Sequence, residues 1–310
     1  MSSGRTGAYI SVILAMMFWG FTFVLYKYAN ESFRPVSIIF LRLFISIFFL
    51  FGFALLLNRL KRIRKTDWKW LLLLSLFEPF FYFLGEVNGM TLVTPTVGAV
   101  IISTIPLIVP FAAYYFYRER LTLLNQIGLV VSFAGVLMVV FTRNEGLSAD
   151  ARGILLMCVA VVSAVGYTMV VKKLIDHYNP ITITAYQSLC GLVMFLPLFL
   201  ILEVPRLQTI SVSTPSLLAL LYLGVIGSGI CFILLTIAIR ELGASRANIF
   251  ANLVPVVAAI LSFLLLKESM PLLKIAGILV VIAGLFMSQI GEIRLKKAPG
   301  KDAFKHPPYA

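Results

Sequence analysis

Apolar residues run along this chain in blocks of roughly twenty, the length that crosses a bilayer core as a helix. Proline, glycine and charged residues separate the blocks, which cover residues 8–28, 36–57, 68–88, 94–116, 121–141, 153–174, 180–201, 215–239, 243–266 and 272–290. The pattern predicts ten transmembrane helices and no strand. The first block has no cleavage-site pattern after it, so it is expected to belong to the bundle and not to a signal peptide.

One stretch occurs twice. Residues 94–140 align without gaps onto residues 243–289 at an offset of 149. Pro106 falls on Pro255, Glu119 on Glu268, Gly128 on Gly277 and Gly135 on Gly284. Similarity extends upstream: Trp19-Gly20-Phe21-Thr22 resembles Val165-Gly166-Tyr167-Thr168, and Arg34-Pro35 matches Asn179-Pro180, which puts Arg42 opposite Gln187. Each half then holds five spans. Five is odd, so the second half enters the membrane from the opposite side, a plan that recurs in secondary transporters. The expected units are residues 1–145, residues 146–291 and a basic cytoplasmic tail at 292–310.

Composition agrees: 60% of residues are apolar and 13% charged, with a mean hydropathy of +1.00. A soluble domain carries about a quarter charged residues. The net charge of +13 does not point to nucleic acid, because Lys and Arg collect in short loops and the tail. With the N-terminus inside, the cytoplasmic segments hold eighteen Lys and Arg and the other side six. That bias places both termini in the cytoplasm.

A charge deep in the bilayer costs at least about 2.5–3.5 kcal/mol on insertion scales, so ionisable residues inside spans need a reason. Glu78, followed by Pro79, lies near the middle of the third span; Tyr82 and Glu86 follow at helical spacing. Arg42 lies in the second span, at a depth between the two carboxylates, and is expected to pair with one of them. A salt bridge that only holds helices together would also account for the three charges. Pro79 should kink its helix and free a carbonyl; Pro106 and Pro255 should do the same in spans four and nine. Beside those prolines, Ser103, Asn248 and Asn252 could bind a small polar ligand, or simply bond helix to helix. Trp19 is expected to help wall a cavity. Glu119 and Glu268, at the ends of spans four and nine, read as anchors for the ends of neighbouring helices. Phosphate-loop, H-E-x-x-H and G-x-S-x-G motifs are absent from the sequence, which leaves no sign of a motor or an enzyme. No cofactor or metal is expected.

Pro followed thirteen residues later by Glu and then by a Gly-rich helix, in each half, resembles the EamA-type carriers of the drug/metabolite transporter superfamily. The matching residues are Pro106, Glu119, Gly128 and Gly135, then Pro255, Glu268, Gly277 and Gly284; Trp19-Gly20 and Leu41-Arg42 fit as well. The resemblance spans residues 8–290. It implies an all-α, multi-pass protein of a bacterial inner membrane, built of two inverted five-helix repeats, that moves amino acids, other metabolites or toxic small molecules, often outward, by alternating access. Glu78 and Glu86 are not part of that pattern. The expected partners are a small solute, the lipid bilayer and a proton or other coupling ion, with the chain acting as a monomer or homodimer. A non-transporting assembly or signalling subunit, or a carrier of nucleotide sugars or drugs, are the alternative readings.

Overall fold

The computed structural model describes residues 3–90, 92, 93, 98, 101–119, 121–140, 150–205, 211–267 and 269–297. Glu268 and much of the 94–100 stretch therefore lie outside the described residues. The described chain is helical, as it must be where lipid offers no hydrogen-bond partner to a bare peptide group. In order the α-helices are α1 (Ser3–Ser32), α2 (Pro35–Leu56), α3 (Trp68–Ser75), α4 (Tyr82–Met90), α5 (Ile105–Tyr117), α6 (Leu123–Val140), α7 (Ala151–Leu174), α8 (Pro180–Leu202), α9 (Thr214–Tyr222), α10 (Cys231–Leu242), α11 (Ala244–Ile249), α12 (Leu253–Leu266) and α13 (Leu272–Lys297). Among the described residues eight helical runs are long and apolar enough to cross a membrane, with two shorter apolar helices, Ile105–Tyr117 and Leu272–Ser288. The protein is an integral, multi-pass helical membrane protein.

Two of the long runs are not continuous α-helix. Between α3 and α4 the chain passes through a wide π-type turn, Leu76–Phe81, and between α9 and α10 through another, Leu223–Ile230. Pro79 explains the first. It has no N–H to give and its ring crowds the preceding turn, and Glu78 is thrown into an extended conformation (φ −144°, ψ 119°). The break goes further than the kink that the proline alone predicts. The second wide turn contains Gly224, Gly227 and Gly229, and at the repeat offset Gly227 falls on Glu78.

Pro106 and Pro255 behave alike, though not as mid-helix kinks. Each sits in the first turn of a helix, α5 and α12, just after a short irregular stretch. A proline is well tolerated there, because the first N–H groups of a helix have no intrahelical partner. The same two helices end alike: Arg118 and Lys267, also 149 apart, cap them in the left-handed region at φ 54° and 55°. Non-glycine residues seldom adopt that conformation.

The strongest helix contacts join one half of the chain to the other: α6 with α13, α2 with α8, α4 with α7, and α1 with α10 and α12. The α6–α13 seam is backbone against backbone. A methyl group added at Gly284 would sit 2.4 Å from the Ser132 amide nitrogen, and one at Gly128 2.4 Å from that of Ser288. The Asn125 side-chain amide donates to the Ser288 carbonyl across this seam. On the face of the membrane that carries the N-terminus, Val12, Met16, Leu74, Ala113, Val171 and Ile239 bury one another in a single apolar core.

Gly284→Ala should therefore destabilise the protein by about 1–3 kcal/mol, the usual cost of overpacking. Gly52, where an added methyl meets nothing within 4 Å, is the control. Thermal unfolding in detergent should show a lower Tm for Gly284→Ala and an equal or higher one for Gly52→Ala.

Candidate functional site: a charged cluster between two broken helices

The wide turns bring the intramembrane polar residues together. Freed from its helix by the break, the Glu78 carbonyl accepts a hydrogen bond from Gln187 Nε2 on α8 at 3.1 Å. At the matching place in the other half, the Gly227 carbonyl accepts from Trp19 Nε1 on α1, also at 3.1 Å. Each exposed carbonyl is thus satisfied by a side chain of the opposite half. Trp19 also packs edge-on against Phe232 at 5.2 Å between ring centroids.

Arg42 points from α2 into the same region and is buried. Its Nε donates to Ser228 Oγ at 2.7 Å, and its guanidinium lies over the Phe83 ring at 4.7 Å. The expected ion pair is not made: among the described residues no carboxylate reaches Arg42 at ion-pair distance. Glu86 is held instead by the Tyr82 hydroxyl at 3.1 Å, one helical turn away. Glu78 and Glu86 stay within electrostatic reach of the guanidinium. Stacking and one neutral hydrogen bond fix the Arg42 orientation without neutralising it. A small cavity lies beside the cluster; Pro79, Phe83, Gln187, Ser228 and Phe232 are among its lining.

Trp19, Arg42, Glu78, Tyr82 and Glu86 accordingly belong to one neighbourhood. Asn248 and Asn252 spend their amides elsewhere. Asn252 Nδ2 donates to Ser132 Oγ at 3.0 Å, joining its span to α6, and Asn248 Nδ2 donates back to the Ala244 carbonyl at 3.0 Å. Ser103 is buried in the turn before α5. Ser228, Gln187 and Phe232 were not among the residues singled out from sequence. A signal existed for two of them: Gln187 is the repeat counterpart of Arg42, and Ser228 that of Pro79.

At the N-terminal face Glu119 forms a second polar site. Its carboxylate accepts from the backbone N–H groups of Ala244 and Ser245 at the start of α11 (3.1 and 3.0 Å), and from Ser245 Oγ at 2.8 Å. It also pairs with Lys172 of α7. Tyr117 adds a bond from its hydroxyl to the Met169 carbonyl at 2.6 Å. Burial alone would push the Glu119 carboxyl up; the Lys172 ammonium and the Ser245 donors outweigh it and hold the group below the usual carboxylate range. Three elements, the end of α5, the end of α7 and the start of α11, are latched at one point.

A polytopic helical membrane protein with a charged cluster beside one broken and one widened helix has the layout of a membrane transporter. The sequence model of the EamA-like transporter family matches residues 6–141 and, a second time, residues 151–289. The chain belongs to that family, within the drug/metabolite transporter superfamily. It is 28% identical to an uncharacterized transporter of Archaeoglobus fulgidus, over 90% of this chain and 97% of that one. Two uncharacterized transporters of Bacillus subtilis are similar: YcxC at 26% identity (97% of this chain, 98% of the relative) and YoaV at 27% (90% and 95%). A crystal structure sharing 15% identity superposes with a TM-score of 0.82 over 92% of this chain and 99% of the other, so the fold is shared.

The depressed Glu119 carboxyl sets the sign of a pH effect. Its contribution is complete above the pKa of the unfolded carboxylate, about 4.3, and is lost as pH falls through the lower folded value. Glu119→Gln should lower stability at neutral pH by about 1.5–3 kcal/mol, the worth of hydrogen bonds to a charged group. The Tm gap between native chain and variant should close as the pH is taken below the carboxylate range.

Proposed function

We propose that this protein is a secondary carrier for a small polar or amphipathic metabolite, amino-acid-like in size, which it exports by alternating access. Ten spans form two inverted five-helix halves, residues 1–145 and 146–291, followed by a basic tail at 292–310. The double family match, the two wide turns at one repeat register and the paired left-handed caps at Arg118 and Lys267 support this arrangement.

The observation that carries the reading is Arg42. A guanidinium inside the membrane, stacked on Phe83 and bonded to Ser228 yet joined to no carboxylate among the described residues, keeps its charge directed at the space between the halves. A static structural pair would have been closed on itself. Glu78 sits on the opposite wall with its backbone broken open, and serves as the acid of the site and as the group that couples transport to protons. Both termini are cytoplasmic in this reading, on the Lys and Arg asymmetry. The packed core and the Glu119 latch then close the cytoplasmic face. Inward opening requires Glu119 to leave α11 and Lys172. A monomer contains every part of this machine, set in a bacterial inner membrane.

Vesicles reconstituted with the purified chain and screened against a metabolite mixture test the reading. Arg42→Ala and Glu78→Gln should each reduce flux of the transported solute at least tenfold, with folding unchanged by thermal melt. The residual flux of Glu78→Gln should no longer respond to pH. Full pH dependence in Glu78→Gln removes proton coupling from the reading, and native flux in both variants overturns the site.

A further inference from the structure

The segment that joins α2 to α3 forms no helix of its own, yet residues of the other half hold its backbone in place. The Thr182 hydroxyl on α8 accepts from the Lys61 N–H at 3.1 Å and donates to the Arg59 carbonyl at 3.0 Å. Asn179 Nδ2 donates to the same carbonyl at 2.5 Å. The Tyr178 hydroxyl, just before α8, accepts from the Arg64 N–H at 3.0 Å and donates to Asp67 Oδ2 at 2.6 Å. Tyr178 is held in turn, because Arg240 Nη2 donates to its carbonyl at 2.6 Å. Ile63 is buried in the apolar core of this face. The segment is an ordered arm of the first half, clamped to the second.

Six of the eleven residues 59–69 are Lys or Arg: Arg59, Lys61, Arg62, Arg64, Lys65 and Lys69. All six are exposed, and among the described residues none makes an ion pair. Asp67 is the one acid of the arm, and the Tyr178 hydroxyl takes one of its oxygens. A loose loop could spread six like charges apart; a clamped one holds them together. The clamp would close the loop equally well with neutral residues on its outer side, so it does not account for the charge. The neighbours of the arm show what meets that charge. Leu55, Leu56 and Leu57, just before it, are 63%, 83% and 47% exposed, as residues against lipid are. Just after it, the Trp70 ring lies under the ammonium groups of Lys173 and Lys69, 3.7 and 5.7 Å from the ring centre. Tryptophan favours the headgroup level of a bilayer. Lipid and interface thus flank the arm on both sides, and the anions at that level are headgroup phosphates.

We propose that the clamped arm, residues 59–69, is a binding surface for anionic phospholipid headgroups. Arginine offers phosphate a fork of paired N–H groups, and lysine a compact charge. The backbone that carries them is fixed before a lipid arrives, so less order is lost on binding. The attraction selects headgroups of net negative charge over zwitterionic ones and weakens as salt rises. Thr182, Asn179 and Tyr178 belong to the second half, so the surface takes this form only when the two halves are packed. The proposal requires neither a transported solute nor a direction of transport.

The test uses the full chain reconstituted in phosphatidylcholine bilayers that contain a rising fraction of brominated phosphatidylglycerol. Bromine quenches tryptophan on contact, and two of the three tryptophans, Trp68 and Trp70, stand at the end of the arm. Brominated phosphatidylcholine is the reference. Phosphatidylglycerol should be preferred about fivefold or more at low salt, the worth of one or more cations close to an anionic surface. Replacing Arg62, Arg64 and Lys65 together by Gln should bring the preference to within about twofold of none. Replacing Lys297, Lys301 and Lys305 by Gln removes the same charge from the tail and should leave the preference unchanged. Thr182→Val keeps every charge but cuts two bonds to the arm, and should lower the preference by about half. Tyr178→Phe, which frees Arg64 and Asp67, should act alike, so either variant serves if the other fails to fold. Native preference in the Arg62, Arg64 and Lys65 variant overturns the surface. An equal loss in the tail variant overturns it too, since it marks a diffuse effect of charge. Native preference in the clamp variants overturns the role of the fixed backbone. Displacement of the lipid by inorganic phosphate, beyond that by chloride at equal ionic strength, marks a site for a soluble anion and overturns the lipid assignment.

Discussion

The fold depends on how two departures from regular α-helix, one broken and one widened, are satisfied inside lipid. A peptide carbonyl left bare in hydrocarbon costs several kcal/mol, which is why spans are normally unbroken helix. Here the chain breaks at Leu76–Phe81 and widens to a π-type turn at Leu223–Ile230. The carbonyls of Glu78 and Gly227, at one register of the repeat, are each met by a side-chain N–H from the other half. The donors are unlike, an amide and an indole, but their task is the same. Polar, irregular backbone can then exist deep in the bundle, and the chemistry of the site collects around it.

Charge is handled differently from hydrogen bonding. A closed Arg–Glu pair would be the cheaper arrangement for a purely structural role, since each charge would shield the other. Arg42 instead takes an aromatic face and a hydroxyl, and Glu86 takes a phenol. Cation–π contact supports a guanidinium without cancelling its charge. At the N-terminal face the opposite solution appears: Glu119 is saturated by Lys172, two backbone amides and Ser245. Among the described residues the interior guanidinium meets no carboxylate, while the carboxylate at the end of the bundle is saturated.

Much of this was legible in the sequence. Run length and the loop charges identify a polytopic membrane protein, and the gapless repeat shows which positions correspond. Glu78, Glu86 and Arg42 stand out because charges within spans are costly. Three features could not be read. Hydropathy treats Gly224, Gly227 and Gly229 as a small packing face, and the wide turn there depends on Ile45 and Thr22 coming close to it in space. Depth along two helices suggested that Arg42 meets a glutamate, whereas side-chain direction, which depth does not fix, sends it to Ser228. The prolines at 106 and 255 were read as kinks, yet helix starts follow from the same residue once the preceding turn is irregular.

The crossed carbonyl bonds also bear on how the chain is made. During synthesis Glu78 is made well before Gln187, and Trp19 well before Gly227. The carbonyl of the first pair and the indole of the second therefore gain these partners only after α8 and the second wide turn have been made. Neither the first nor the second part of the chain can form either bond alone.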